Sequence, residues 1–224
     1  VAKVMPVVSE FDVKGIFNDA SAGTASLPVK VYHKAYAWNK PGHRRYVMVE
    51  YSIKNTGTSA LNSLYAGIYT DWDINMGDAS GYNNNKAATD LTRGIGYTYN
   101  LEQGGFYAGV QLLTTTTAGF RHYAMDHNST GGSVNPNTSY TTADKFTSLS
   151  TMRTDAGSPN DVSSVVSGGP FNIPAGDSIT IAFALLGGDD LADLQKSADS
   201  ACANYPFSLF AATSSPTCGN NNGT

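Results

Sequence analysis

Tyr46-Val47-Met48-Val49-Glu50-Tyr51-Ser52-Ile53, running into Lys54-Asn55-Thr56-Gly57-Thr58-Ser59, is a strand followed by a turn. β-Branched and aromatic side chains suit a pleated, half-buried surface. Gly57 supplies the backbone freedom a turn needs. The next apolar run, Leu61 to Tyr69, predicts the partner strand. Upstream, Val29-Val31-His33-Ala35-Ala37 shares one face, with Tyr32, Tyr36 and Trp38 on the other. Ile95 to Leu101, Phe106 to Leu113, Gly119 to Met125 and Ser178 to Leu186 continue the series. Short strands with turns at this frequency predict an all-β chain, an antiparallel two-sheet β-sandwich.

Helices are few. Leu191, Leu194, Ala198, Ala201, Cys202 and Tyr205 recur at helical spacing, behind Asp189 or Asp190 as the N-cap. This predicts one short C-terminal helix, with Pro206 at its exit. A second, shorter helix is weighed around Ala143 to Thr151. The Ser/Thr/Asn/Gly-rich stretches Asn128 to Thr142 and Asp155 to Gly169 read as surface loops. No linker divides the chain, so residues 1–218 are expected to form a single domain. The polar tail 219–224 reads as the start of a linker.

Charged residues are only 14% of the 224, against roughly 25% in an average globular chain. Asp outnumbers Glu fifteen to three, which favours loops and turns over helices. Net charge is −4, and no basic stripe interleaves with aromatics, so nucleic acid is not an expected partner. No run of 18 apolar residues exists, so no helical membrane span is expected. Cys202 and Cys218 have neither redox-motif spacing nor nearby His partners. A disulfide pinning the C-terminal tail is the favoured reading, and it implies an oxidising compartment.

The densest chemistry is Asp71-Trp72-Asp73-Ile74-Asn75-Met76-Gly77-Asp78. Asp71, Asp73, Asn75 and Asp78 resemble the opening of an EF-hand loop, but the glycine is misplaced and position 12 is Tyr82. The expectation is a non-helical Ca²⁺ loop, with Asn83, Asn84, Asn85 and Asp90 as further donors. The competing reading is a plain Asx-turn cluster with Trp72 packed inward. His122, Asp126, His127 and Ser129 permit a His-Asp-Ser arrangement on paper, without a nucleophile-elbow motif. Glu50 is a candidate only if it faces a cleft. No catalytic residues are assigned. Tyr32, Tyr36, Trp38, Tyr46, Tyr97, Tyr99, Tyr107 and Tyr123 could stack on sugar rings or serve as sheet packing.

A resemblance adds context. Tyr51-Ser52-Ile53-Lys54-Asn55-Thr56-Gly57 and Leu64 to Ile74, with Gly169 to Ser178 and Phe183 to Leu194, resemble an accessory module of large secreted proteins from Bacteroidetes-type bacteria. There the module lies beside subtilisin-like or other peptidase domains, ahead of a C-terminal secretion-sorting domain. The resemblance implies a secreted or cell-surface location and other domains of a larger protein as partners. It carries no activity. The resulting expectation is a non-catalytic accessory or structural module stabilised by Ca²⁺. The alternatives are a polysaccharide-binding module and a protomer of an extracellular filament.

Overall fold

A computed structural model describes residues 1–74, 81–101, 105–114, 119–127, 134–157 and 159–205. In chain order the strands are β1 (Ala2–Lys3), β2 (Phe11–Asn18), β3 (Val29–Ala37), β4 (Tyr46–Asn55), β5 (Leu61–Asp71), β6 (Asn85–Asp90), β7 (Ile95–Asn100), β8 (Tyr107–Leu112), β9 (Phe120–Asp126), β10 (Val162–Ile173) and β11 (Ser178–Gly188). Two helices, α1 (Thr142–Ser150) and α2 (Leu191–Asn204), complete the main elements.

The strands form two antiparallel sheets. The larger has eight strands in the order β1-β2-β3-β4-β11-β8-β7-β6; the smaller has three, β5-β10-β9. The fold is the expected sandwich, with a helix on each outside. Strand β11 shows how period-two alternation builds the layers. Ile181 and Phe183, with Val49, Ile53 and Val110, face the small sheet and meet its Phe120, Val166 and Ile173. Ala182, Ala184 and Leu186 face the opposite way, against Leu194, Ala198 and Ala201 of α2. The alanines let the helix sit close to the sheet. On the outside of the small sheet, Tyr123, Met125, Val134 and Val165 are covered by Tyr140 and by Leu149 of α1.

Helix starts follow local chemistry. The Asp190 side chain accepts from the Asp193 N–H as N-cap of α2. Thr141 and Asp144 form a reciprocal capping box on α1.

One stretch departs from expectation. The segment from 155 to 169 reads as loop in the sequence, yet from Val162 it is the central strand of the small sheet, paired on both sides. Its serines are small enough to pack between layers: Ser163, Ser164 and Ser167 are all buried. The Ser167 hydroxyl donates to the Leu149 carbonyl of α1 at 2.7 Å, which satisfies a polar group that burial would otherwise penalise. Cys202 lies on α2, while Cys218 and the tail from 206 lie outside the described residues. The disulfide therefore stands as a proposal.

Candidate functional site

Strands β5 and β9 both run antiparallel to β10. The C-terminal ends of the first two therefore meet the start of the third at one rim of the small sheet. Asp71 ends β5, His127 follows β9, and Asp161 precedes β10. The register sets Asp71 beside Ser163 and Asp126 beside Val162. Asp71, His127 and Asp161 each place a donor atom within 4.8 Å of the others. His127 is buried, Asp161 is partly covered and Asp71 is exposed.

The hydrogen bonds fix the imidazole. His127 Nδ1 lies 3.1 Å from Asp161 Oδ2, and Nε2 lies 2.9 Å from Ser163 Oγ. An ionised carboxylate only accepts, so a neutral ring without an ion carries its proton on Nδ1 and accepts from the serine hydroxyl at Nε2; an ion held by the imidazole would take the place of that proton. Ser163 also bonds the Tyr69 hydroxyl. Burial raises the Asp71 carboxyl above its ordinary value; His127 opposes that rise, and the charges of Asp161 and Asp73 add to it. A divalent cation between the two carboxylates would relieve their repulsion.

Ser163, His127 and Asp161 stand in the order of a nucleophile, base and orienting acid. A nucleophile must meet its substrate near van der Waals contact. Ser163 is only 1% exposed, so its hydroxyl is closed to substrate in this conformation. The same three residues can hold an ion or lock a loop without that access.

Of the sequence-predicted acidic loop, Asp71 reaches the cluster and Asp73 acts on it through charge. Asn75 and Asp78 lie outside the described residues. Trp72, partly buried, packs against the inter-sheet core, the inward packing that belongs to the competing Asx-turn reading. Two of the proposed extra donors have other work. The Asp90 carboxylate is taken by Arg93, at 3.1 Å, and Gln195, at 3.0 Å. Asn85 Oδ1 accepts from Asn100 Nδ2 at 3.2 Å. That Asn100 amide also donates to the Gly81 carbonyl at 2.8 Å and the Ile74 carbonyl at 3.4 Å. It thereby ties Ile74 to Gly81.

The His122–Asp126–His127 grouping does not form a site. The Asp126 carboxylate accepts from Asn160 Nδ2 at 2.9 Å. His122 is fully buried and turns to Thr89 and Gly96; Ser129 lies outside the described residues. Glu50, 1% exposed, sits under α2, where the Tyr205 hydroxyl donates to it at 3.4 Å. Asp161 and Ser163 were missed because they fall in the stretch predicted as loop. The one available signal was Val162-Ser163-Ser164-Val165-Val166, a β-branched run hidden among small residues.

Of the eight aromatic candidates, Trp38 packs partly buried against the α2-side core, Tyr32 lies under the Lys30 ammonium, and the other six fall into two groups. Tyr36, Tyr46 and Tyr123 are core residues, each at most 4% exposed. Tyr97, Tyr99 and Tyr107 instead form a half-buried group: Tyr99 and Tyr107 stack at 5.1 Å and 5°, and Tyr97 lies 6.0 Å from both. Neighbouring Phe106 is 70% exposed.

The chain matches no protein-family model and has no significant sequence match among curated proteins. Among the described residues, no helix is long and apolar enough to cross a membrane.

Proposed function

We propose that this chain is a non-catalytic accessory or structural module of a larger secreted or cell-surface protein, with a divalent cation pinning one end of its small sheet. The observation that carries the reading is the convergence of Asp71, His127 and Asp161 at the ends of three strands onto one rim. A strand end that binds an ion only when folded gains stability from it. The sealed Ser163 favours this role over acyl transfer.

Ca²⁺ is the proposed ion if Asp73, Asn75 and Asp78 add oxygens, since it takes six to eight of them. The imidazole is a better ligand for Zn²⁺ and its neighbours in the series, so the two ions are to be compared. Thermal unfolding in EDTA, then with excess Ca²⁺, Zn²⁺ or Mn²⁺, tests the proposal. At a hundredfold excess over Kd the ion contributes about 2.7 kcal/mol, and Asp71→Asn with Asp161→Asn removes that gain. Identical melts in every condition would remove the metal from the account.

A second reading is favoured by the Tyr97, Tyr99 and Tyr107 group. Tyrosine offers a flat apolar face and a hydroxyl, which suits stacking against pyranose rings. Retention on insoluble polysaccharide, lost in Tyr99→Ala and Tyr107→Ala proteins that still fold, is the expected result. Passage of the wild-type protein through a panel of such polysaccharides without delay counts against it.

A further inference from the structure

A cavity of about 230 Å³ opens between the β3–β4 connection and the 193–200 stretch of α2. Arg44, Arg45 and Lys196 line it, together with Gly42, Asp193 and Ser200. Three cations around one small cavity stand out in a chain of net charge −4.

The three cations have different situations. Arg45 is used as a wall: its guanidinium pairs with both Asp189 and Asp193. That double contact fixes the connection against the helix and so fixes the cavity. Arg44 is held by its stem, with Nε donating to the Asn39 carbonyl at 2.7 Å. Its terminal nitrogens stay available among the described residues. Lys196 is exposed on α2, one helical turn before Ser200. Neither Arg44 nor Lys196 makes an ion pair among the described residues.

We propose that this cavity is a binding site for a tetrahedral oxyanion, a phosphate or sulfate group carried on a small ligand. Guanidinium and ammonium groups converging from two elements recognise such an anion by charge-assisted hydrogen bonds. The Arg44 fork supplies directional donors and Lys196 a rotatable point charge. Ser200 adds a hydroxyl from the helix. The anion replaces the bulk water that otherwise solvates two unpaired cations. The site is separate from the Asp71–His127–Asp161 rim and does not depend on the metal there.

The test is an NMR titration of the full chain in EDTA, with inorganic phosphate in one arm and inorganic sulfate in the other. Chloride at matched ionic strength is the control. The expected result is saturable shifts in the amides of residues 42–45 and 196–200 with at least one of the two anions. Preference between the arms tells a phosphate group from a sulfate. In the Arg44→Gln/Lys196→Gln protein the apparent affinity falls by about tenfold or more. Ser200→Asp, which puts a carboxylate into the cavity, has the same effect without removing a cation. Equal shifts with chloride overturn the site, as does an unchanged titration in both variant proteins.

Discussion

His122 shows what a single buried group can impose on the whole chain. The Thr89 hydroxyl gives its proton to the Thr154 carbonyl at 2.9 Å, so His122 Nδ1 must donate to Thr89 at 2.7 Å. Nε2 then keeps a lone pair with no partner among the described residues. Burial pushes the imidazole pKa down to about 3. The unfolded chain takes up the proton near the ordinary imidazole value of 6.5. Below that pH the unfolded state binds more protons than the folded one, so stability falls with decreasing pH between about 6.5 and 3. The maximum slope is about 1.4 kcal/mol per pH unit. Urea unfolding at pH 7, 6 and 5 reads it above the range where ordinary aspartates titrate. A flat profile would show that His122 is solvated or charged in the folded state. The neighbouring glycine is equally constrained. A Cβ on Gly96 would lie 2.3 Å from His122 Cδ2 and 2.7 Å from Nε2. Gly96→Ala is expected to cost about 1–3 kcal/mol or more by overpacking, measured as a lower urea midpoint. A neutral result would mean the ring can move aside.

Among the elements, α2 was the easiest to read from sequence and the β10 region the hardest, for physical reasons. The period of Leu194, Ala198 and Ala201 reports one buried face, and all three are fully buried. Leu194 fills the space between the helix and Ala182, Ala184 and Leu186 of β11. Leu194→Ala is expected to cost about 2–5 kcal/mol, seen in equilibrium unfolding with the m-value unchanged. A loss under 1 kcal/mol would place the helix only loosely on the sheet. Strand β10 carries no alternation because both its faces are covered, one by the large sheet and one by α1. Burial on both sides accepts serine and glycine where packing is tight, and these residues mimic a loop. The site inherited that blindness. Asp71 was legible because carboxylate density sits next to a clear strand end. His127, Asp161 and Ser163 come together only through strand pairing, and sequence spacing carries no record of that register.

At the scale of the molecule, the two sheets are unequal, and the mismatch sets where the fold is firm. Three strands and α2 cannot cover eight strands on both faces. The central strands β4 and β11 lie between the small sheet and the helix. At the β1–β2 edge, by contrast, Ile16 is 62% exposed and Phe17 is 51% exposed. Local opening free energy follows buried apolar contact, so hydrogen exchange should be graded across one continuous sheet. Amides of β11 and β4 are expected to exchange only through global unfolding, with a denaturant dependence matching the equilibrium m-value. Amides of β2 should exchange faster, through local openings with little denaturant dependence. The same measurement bears on the rim. Metal bound at Asp71, His127 and Asp161 would slow exchange in β9 and β10 while leaving β2 unchanged, because the backbone link between the sheets among the described residues is the isolated Asn85–Asn160 bridge, at β6, and β2 lies toward the opposite edge. Uniform protection from β2 to β11 would mean that the exposed edge is covered in solution, by a second copy of the chain or by another domain.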